Sequence, residues 1–84
     1  MDASVCAADW MTPSEIIGWR LRRERLRLGL DQCRLAEKLG ISRMSQSNYE
    51  TGKRSPDALY LMSAYAAGVD VCWVITGKRA MEAH

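Results

Sequence analysis

The sequence predicts an all-α domain of five short helices, and three observations carry that expectation. Five glycines, Gly29, Gly40, Gly52, Gly68 and Gly77, each close a segment that reads as helical. Capping residues open four of the segments: Thr12, Asp31, Ser42 and Ser55. No stretch sustains the period-two alternation of a strand. Eighty-four residues make one domain without room for a second core, and 48% apolar residues are too many for a disordered chain. Residues 12–77 are expected to form the domain, residues 1–11 a flexible N-terminus and residues 78–84 a short tail.

The first helix starts with T-P-S-E. Thr12 is its cap, Pro13 its first residue, and Glu15 completes a capping box. It runs to about Leu28 and turns Ile17, Leu21 and Leu28 inward; Gly18 within it costs about 1 kcal/mol relative to Ala. The second helix lies between Asp31 and Gly40, with Leu35, Ala36 and Leu39 as an apolar stripe and Ile41 plugging the turn that follows. The third lies between Ser42 and Gly52. From Arg43 to Asn48 its only apolar side chain is Met44, so its residues are not there for the core. The fourth is expected to start with Ser55 as cap and Pro56 as first residue, reaching about Ala67. The fifth is a short turn of helix after Asp70 that carries Val71, Trp73, Val74 and Ile75.

Several function classes are disfavoured. No apolar run approaches the ~20 residues of a membrane span, and MDASVCAADW lacks the basic start of a signal peptide, so the chain reads as cytoplasmic. Cys6, Cys33 and Cys72 are odd in number and form no CxxC pair, and the only histidine is His84. No metal is expected, and the cysteines read as reduced thiols, one or two of them buried. There is no nucleophile–base pair and no phosphate-cradling glycine loop, so no catalytic residue, cofactor or enzymatic activity is expected. Charge is segregated: residues 20–54 hold ten Lys/Arg against four Asp/Glu, while the rest holds two against six. A basic patch of that kind suits phosphate contact.

The second and third segments together read as a helix-turn-helix. The outer face of the third carries Arg43, Ser47 and Asn48, which can donate hydrogen bonds to the edges of a nucleic-acid groove. Ile17-Gly18, Leu21, Arg25, Gly29-Leu30, Gln32, Leu35-Ala36, Leu39 to Ser42, Tyr49-Glu50, Gly52, Arg54, Pro56 and Val69 to Gly77 resemble the Cro/phage-repressor (XRE) type of helix-turn-helix domain over about residues 14–77. QSNYETGKRSPDALYL is similar to a prophage-repressor subset. The resemblance implies a compact, lambda-repressor-like five-helix fold in a bacterial or phage-encoded regulator. One position departs from it. Most members place Val or Ile where this chain has Gln46, which is therefore expected to be partly exposed or locally hydrogen-bonded.

Roles follow by position. Gln32 resembles the residue that bonds a DNA phosphate and braces the recognition helix. Arg43 can grip guanine O6 and N7, Asn48 adenine N6 and N7, and Met44 a thymine methyl, with Ser47 beside them. Ser42 and Ser45 are phosphate donors where capping leaves them free, and Lys53 and Arg54 sit in the loop where the family touches the DNA backbone. The resemblance pairs Glu50 with Arg25 as a clamp between the third and first helices. Val71, Trp73 and Ile75 are expected at a dimer contact, with Trp73 its exposed anchor. The implied partner is a near-palindromic DNA operator bound by a homodimer as a repressor. The alternative is an antitoxin that binds its own operator and also a toxin partner.

Overall fold

The computed structural model describes residues 10–79, and these form an all-helical arrangement of five elements. Cys6, His84 and the outer parts of the expected flexible segments lie outside the described residues. The elements are α1 (Pro13–Arg27), α2 (Gln32–Leu39), α3 (Arg43–Thr51), α4 (Ala58–Ala66) and α5 (Val71–Thr76). None is long and apolar enough to cross a membrane.

Local chemistry explains most of the boundaries. At α1 the Thr12 hydroxyl accepts from the Glu15 N–H (3.2 Å) while the Glu15 carboxylate accepts from the Thr12 N–H (2.8 Å), closing the capping box. Asp31 caps α2, Ser42 caps α3 and Asp70 caps α5, each taking the N–H three residues on. A cap of this kind contributes about 1 kcal/mol. The start of α4 differs from expectation. Asp57, not Ser55, is the cap, and its carboxylate takes the Tyr60 N–H at 2.8 Å. The Ser55 hydroxyl instead bonds that of Ser14 (2.9 Å), tying the loop after α3 to the start of α1, and Pro56 stays outside the helix.

α1 packs on α3 and α5, α2 on α3 and α4, and α4 on α5. Leu21, Tyr49, Tyr60, Ala64, Val69, Trp73 and Val74 form the core, while Leu35 and Ala36 are buried on the inner side of α2. Trp73 is only 8% exposed, so it is not the exposed anchor expected of it. Lying between α1 and α4, α5 buries two adjacent positions, and Trp73 and Val74 both turn inward. Of the other side chains expected at a dimer contact, Val71 is half-buried against the core and Ile75 is exposed. Along one side of α4, a helix without a charged residue, Leu59, Met62 and Tyr65 are exposed. Cys33 and Cys72 are exposed as well, so neither is one of the buried thiols expected.

A buried acid fastens α5 to α1. Glu24 is fully buried within the arginine-rich run of α1. Its oxygens accept from Arg27 (2.8 and 2.9 Å), from Arg79 (2.9 Å) and from the Asp70 N–H (2.8 Å). Burial pushes this carboxyl up, but the bonds from Arg27, the Asp70 N–H and Arg79 together outweigh it and hold it down at about 2. Arg79 also lies 4.3 Å over the Trp73 ring, so packed structure continues past Gly77. From the other side Arg20 reaches the Val74 carbonyl at 3.2 Å, a cation on the negative end of α5.

Candidate nucleic-acid interface

The third helix presents two unlike faces. Gln46, Tyr49 and Glu50 point inward and are buried; Arg43 and Met44 point outward and are exposed, with Ser47 and Asn48 half-buried one turn later. The outward set recurs at three- and four-residue intervals, which keeps it on one side of a 3.6-residue helix. Among the described residues Arg43, Asn48 and Lys53 make no side-chain hydrogen bond, so their donors are uncommitted. A helix with one apolar residue over its first two turns still fills its buried side, using polar groups that satisfy one another.

Glu50 is the centre of that polar face. The Arg25 guanidinium grips it at two points, Nε to Oε2 at 2.7 Å and Nη2 to Oε1 at 3.1 Å. Gln32 at the start of α2 donates to Oε1 (3.1 Å), and Gln46 donates to Oε2 (2.8 Å). Four hydrogen bonds from three helices therefore converge on one carboxylate. Burial raises its pKa, but Arg25, Gln46 and Gln32 outweigh that and hold the carboxyl below its ordinary value. Gln46 is fully buried, not partly exposed, and its amide has partners on both sides: it donates to Glu50 and accepts from the Tyr60 hydroxyl at 2.8 Å. Burial pushes the Tyr60 phenol up to about 12, and the nearby Glu50 charge adds to it.

A glycine lets α3 come so close to α1. A Cβ at Gly18 would stand 2.5 Å from the carbonyl oxygens of Tyr49 and Glu50, so any side chain there would force the helices apart. The intrinsic helix cost of Gly18 thus has a packing reason, and a glycine inside a helical run was the signal for it. Tyr60 and Glu24 were not singled out from sequence. Tyr60 reads as one more aromatic in an apolar helix, and Glu24 as a solvated acid among arginines.

The remaining candidates fall around this helix. Gln32 has a second amide hydrogen beyond the one on Glu50, so the same nitrogen can brace α3 and reach outward. Asp31 takes the Arg34 N–H (2.7 Å), which leaves the Gln32 and Cys33 N–H groups at the start of α2. The Ser42 hydroxyl accepts from the Ser45 N–H and donates to Ser45 Oγ, both at 3.0 Å, so Ser42 is committed to capping. Ser45 keeps its own hydroxyl hydrogen as a donor. In the loop after α3, Lys53 is exposed, whereas the Arg54 guanidinium lies 4.9 Å over the Tyr49 ring and the Arg54 N–H bonds the Asn48 carbonyl (3.2 Å). The arrangement is a set of free donors carried on a helix whose inner face is fixed. A protein-family model described as a helix-turn-helix domain matches residues 16–71, from the first turn of α1 to the first residue of α5.

Proposed function

The chain belongs to the helix-turn-helix domain family, and on that premise we propose that it is a sequence-specific transcriptional regulator that represses by occupying operator DNA. The observation that carries this reading is the contrast on α3: a buried inner face that holds Glu50 by four bonds, and an outer face whose donors have no partner among the described residues. Such a helix enters a major groove with Arg43 and Asn48 toward base edges, Met44 toward a thymine methyl and Ser47 between them. Gln32, Ser45, Lys53 and Arg54 hold phosphates on either side and set the register. The prophage-repressor resemblance of QSNYETGKRSPDALYL supports the repressor sense.

One recognition helix covers about four or five base pairs, and one small module buries only about 600–1,000 Å² on DNA. That is too little to find one operator among a genome's competing sites, so the active species is a homodimer on a near-palindrome. Trp73, buried in the core, is not an exposed anchor for its contact. Ile75 on α5, with Leu59, Met62 and Tyr65 on α4, are the exposed apolar side chains whose replacement by Ser tests it.

The deciding experiment is selection of bound sites from a random duplex library, followed by footprinting and sedimentation. The expected motif is a near-palindrome with half-sites about 34 Å apart, one helical turn. A monomer protecting a single unrepeated half-site would sink the dimer. No enriched motif, with binding to DNA absent even at low salt, would sink the DNA reading itself.

A further inference from the structure

Tyr60 lies outside the helix-turn-helix pair, on α4, yet it is bonded to the recognition helix through Gln46. An unbroken chain of hydrogen bonds runs from Arg25 on α1 to Glu50 and Gln46 on α3 and on to Tyr60. All four residues are buried, with Gln46 at 0% exposure. The Tyr60 ring also packs on that of Tyr49, with centroids 4.3 Å apart, so its hydroxyl is held in place by its own ring. A helix packed through an apolar residue at position 46 would resist a roll about its axis there by shape alone, because dispersion contacts have no preferred direction. An amide with one acceptor at 2.8 Å on one side and one donor at 2.8 Å on the other resists that roll, since hydrogen bonds weaken steeply as their angles open. The lever arm makes this matter. On an outer radius of about 5–6 Å, a roll of about 10° moves an outward side chain by about 1 Å. That is enough to break a bidentate contact to a base.

We infer that Tyr60, acting through Gln46, is a positioning residue for DNA recognition: it sets the roll of α3 and thereby which base edges the outward side chains meet. The inference rests on the DNA-reading role of α3 proposed above. It gives Gln46, the residue that departs from the family's apolar pattern, a purpose in sharpening specificity rather than in contacting DNA.

The test uses the full chain and the motif selected by the wild type, with every measurement made well below each variant's melting point. Tyr60→Phe removes one oxygen and keeps the ring. The double variant Gln46→Leu/Tyr60→Phe replaces the Gln46–Tyr60 link with an apolar pair and leaves Glu50 the Arg25 and Gln32 donors, so it keeps the test alive where the single variant is unstable. In both, the ratio of affinities between the best site and its single-base variants is expected to fall roughly three- to tenfold, with the salt dependence unchanged. A residue important only for stability would lower the melting temperature and leave those ratios alone. Unchanged ratios and an unchanged motif in both variants overturn the positioning role while the DNA reading stands. A wild type that selects no motif overturns both.

Discussion

Glu24 and Glu50 are both buried in a domain of this small size, and each is ringed by donors that hold its carboxyl below the ordinary range, but the donors differ in kind. Those of Glu50 come from α1, α2 and α3, and its guanidinium partner is itself only 8% exposed. Those of Glu24 are a neighbour on its own helix, a backbone N–H and Arg79 beyond α5, and its two arginines are 49% and 33% exposed. Water screens the second set and not the first. One acid therefore fixes the orientation of the recognition helix from within, and the other fastens the last helix onto the first near the surface. The same chemical device orients the third helix in one place and fastens the fifth in the other.

The largest expected effect tests the first half of that contrast. Glu50→Gln leaves the Arg25 guanidinium buried without its charge partner, and loss of about 3–5 kcal/mol is expected in urea melts. A loss of only a few tenths of a kcal/mol would mean that the pair clamps nothing. Glu24→Gln is expected to cost less, about 2–3 kcal/mol, because solvent and the exposed arginines compensate for part of the missing charge. Its pH dependence is a second check. Glu24 titrates lower in the folded protein than in the unfolded chain, so its contribution is complete above the ordinary value of 4.5 and disappears as pH falls toward about 2. The gap between wild type and Glu24→Gln should close over that window. If base preference also changed in Glu24→Gln, the division of labour between the two acids would be wrong.

Arg43→Ala probes the outer face, which neither acid holds. Its side chain makes no hydrogen bond among the described residues, so stability should move by less than about 0.5 kcal/mol. Affinity for the best site should fall by about 1–3 kcal/mol, with preference relaxed at one base pair. If the selected motif is identical without Arg43, that side chain does not read a base.

How much of this was legible in the sequence divides along the same line. Helix boundaries at α1, α2, α3 and α5 were readable because caps and terminal glycines act locally, between residues three or four apart. The start of α4 was misplaced because Ser55 and Asp57 are both good caps, and the Ser55 hydroxyl is taken up by Ser14, forty-one residues away. The Arg25–Glu50 pairing entered through a resemblance, and its geometry comes only from the fold. Gln46, Tyr60 and the Glu24 cluster depend on contacts between distant segments, which leave no periodicity to read. Trp73 was misassigned for a related reason: an amphipathic pattern over six residues cannot show that a helix is covered on two sides.

The smallest effect separates two adjacent cations that look alike in sequence. Lys53 is exposed and makes no side-chain hydrogen bond among the described residues, so it can act only as a mobile positive charge near phosphates. Lys53→Ala should leave the melting temperature unchanged, weaken binding to all sequences alike by about 1 kcal/mol, and reduce the slope of log affinity against log salt by about 0.9. Arg54 carries the same charge but stacks on Tyr49, which in turn packs on Tyr60. Arg54→Ala should therefore reproduce the change in salt slope and add a stability loss of about 0.5–1 kcal/mol, the worth of an exposed cation–π contact. Measured side by side, the two variants separate diffuse attraction from attachment to the buried network. Equal melting temperatures would show that the Arg54 stack holds nothing, and equal salt slopes between wild type and Lys53→Ala would place this loop away from the DNA backbone.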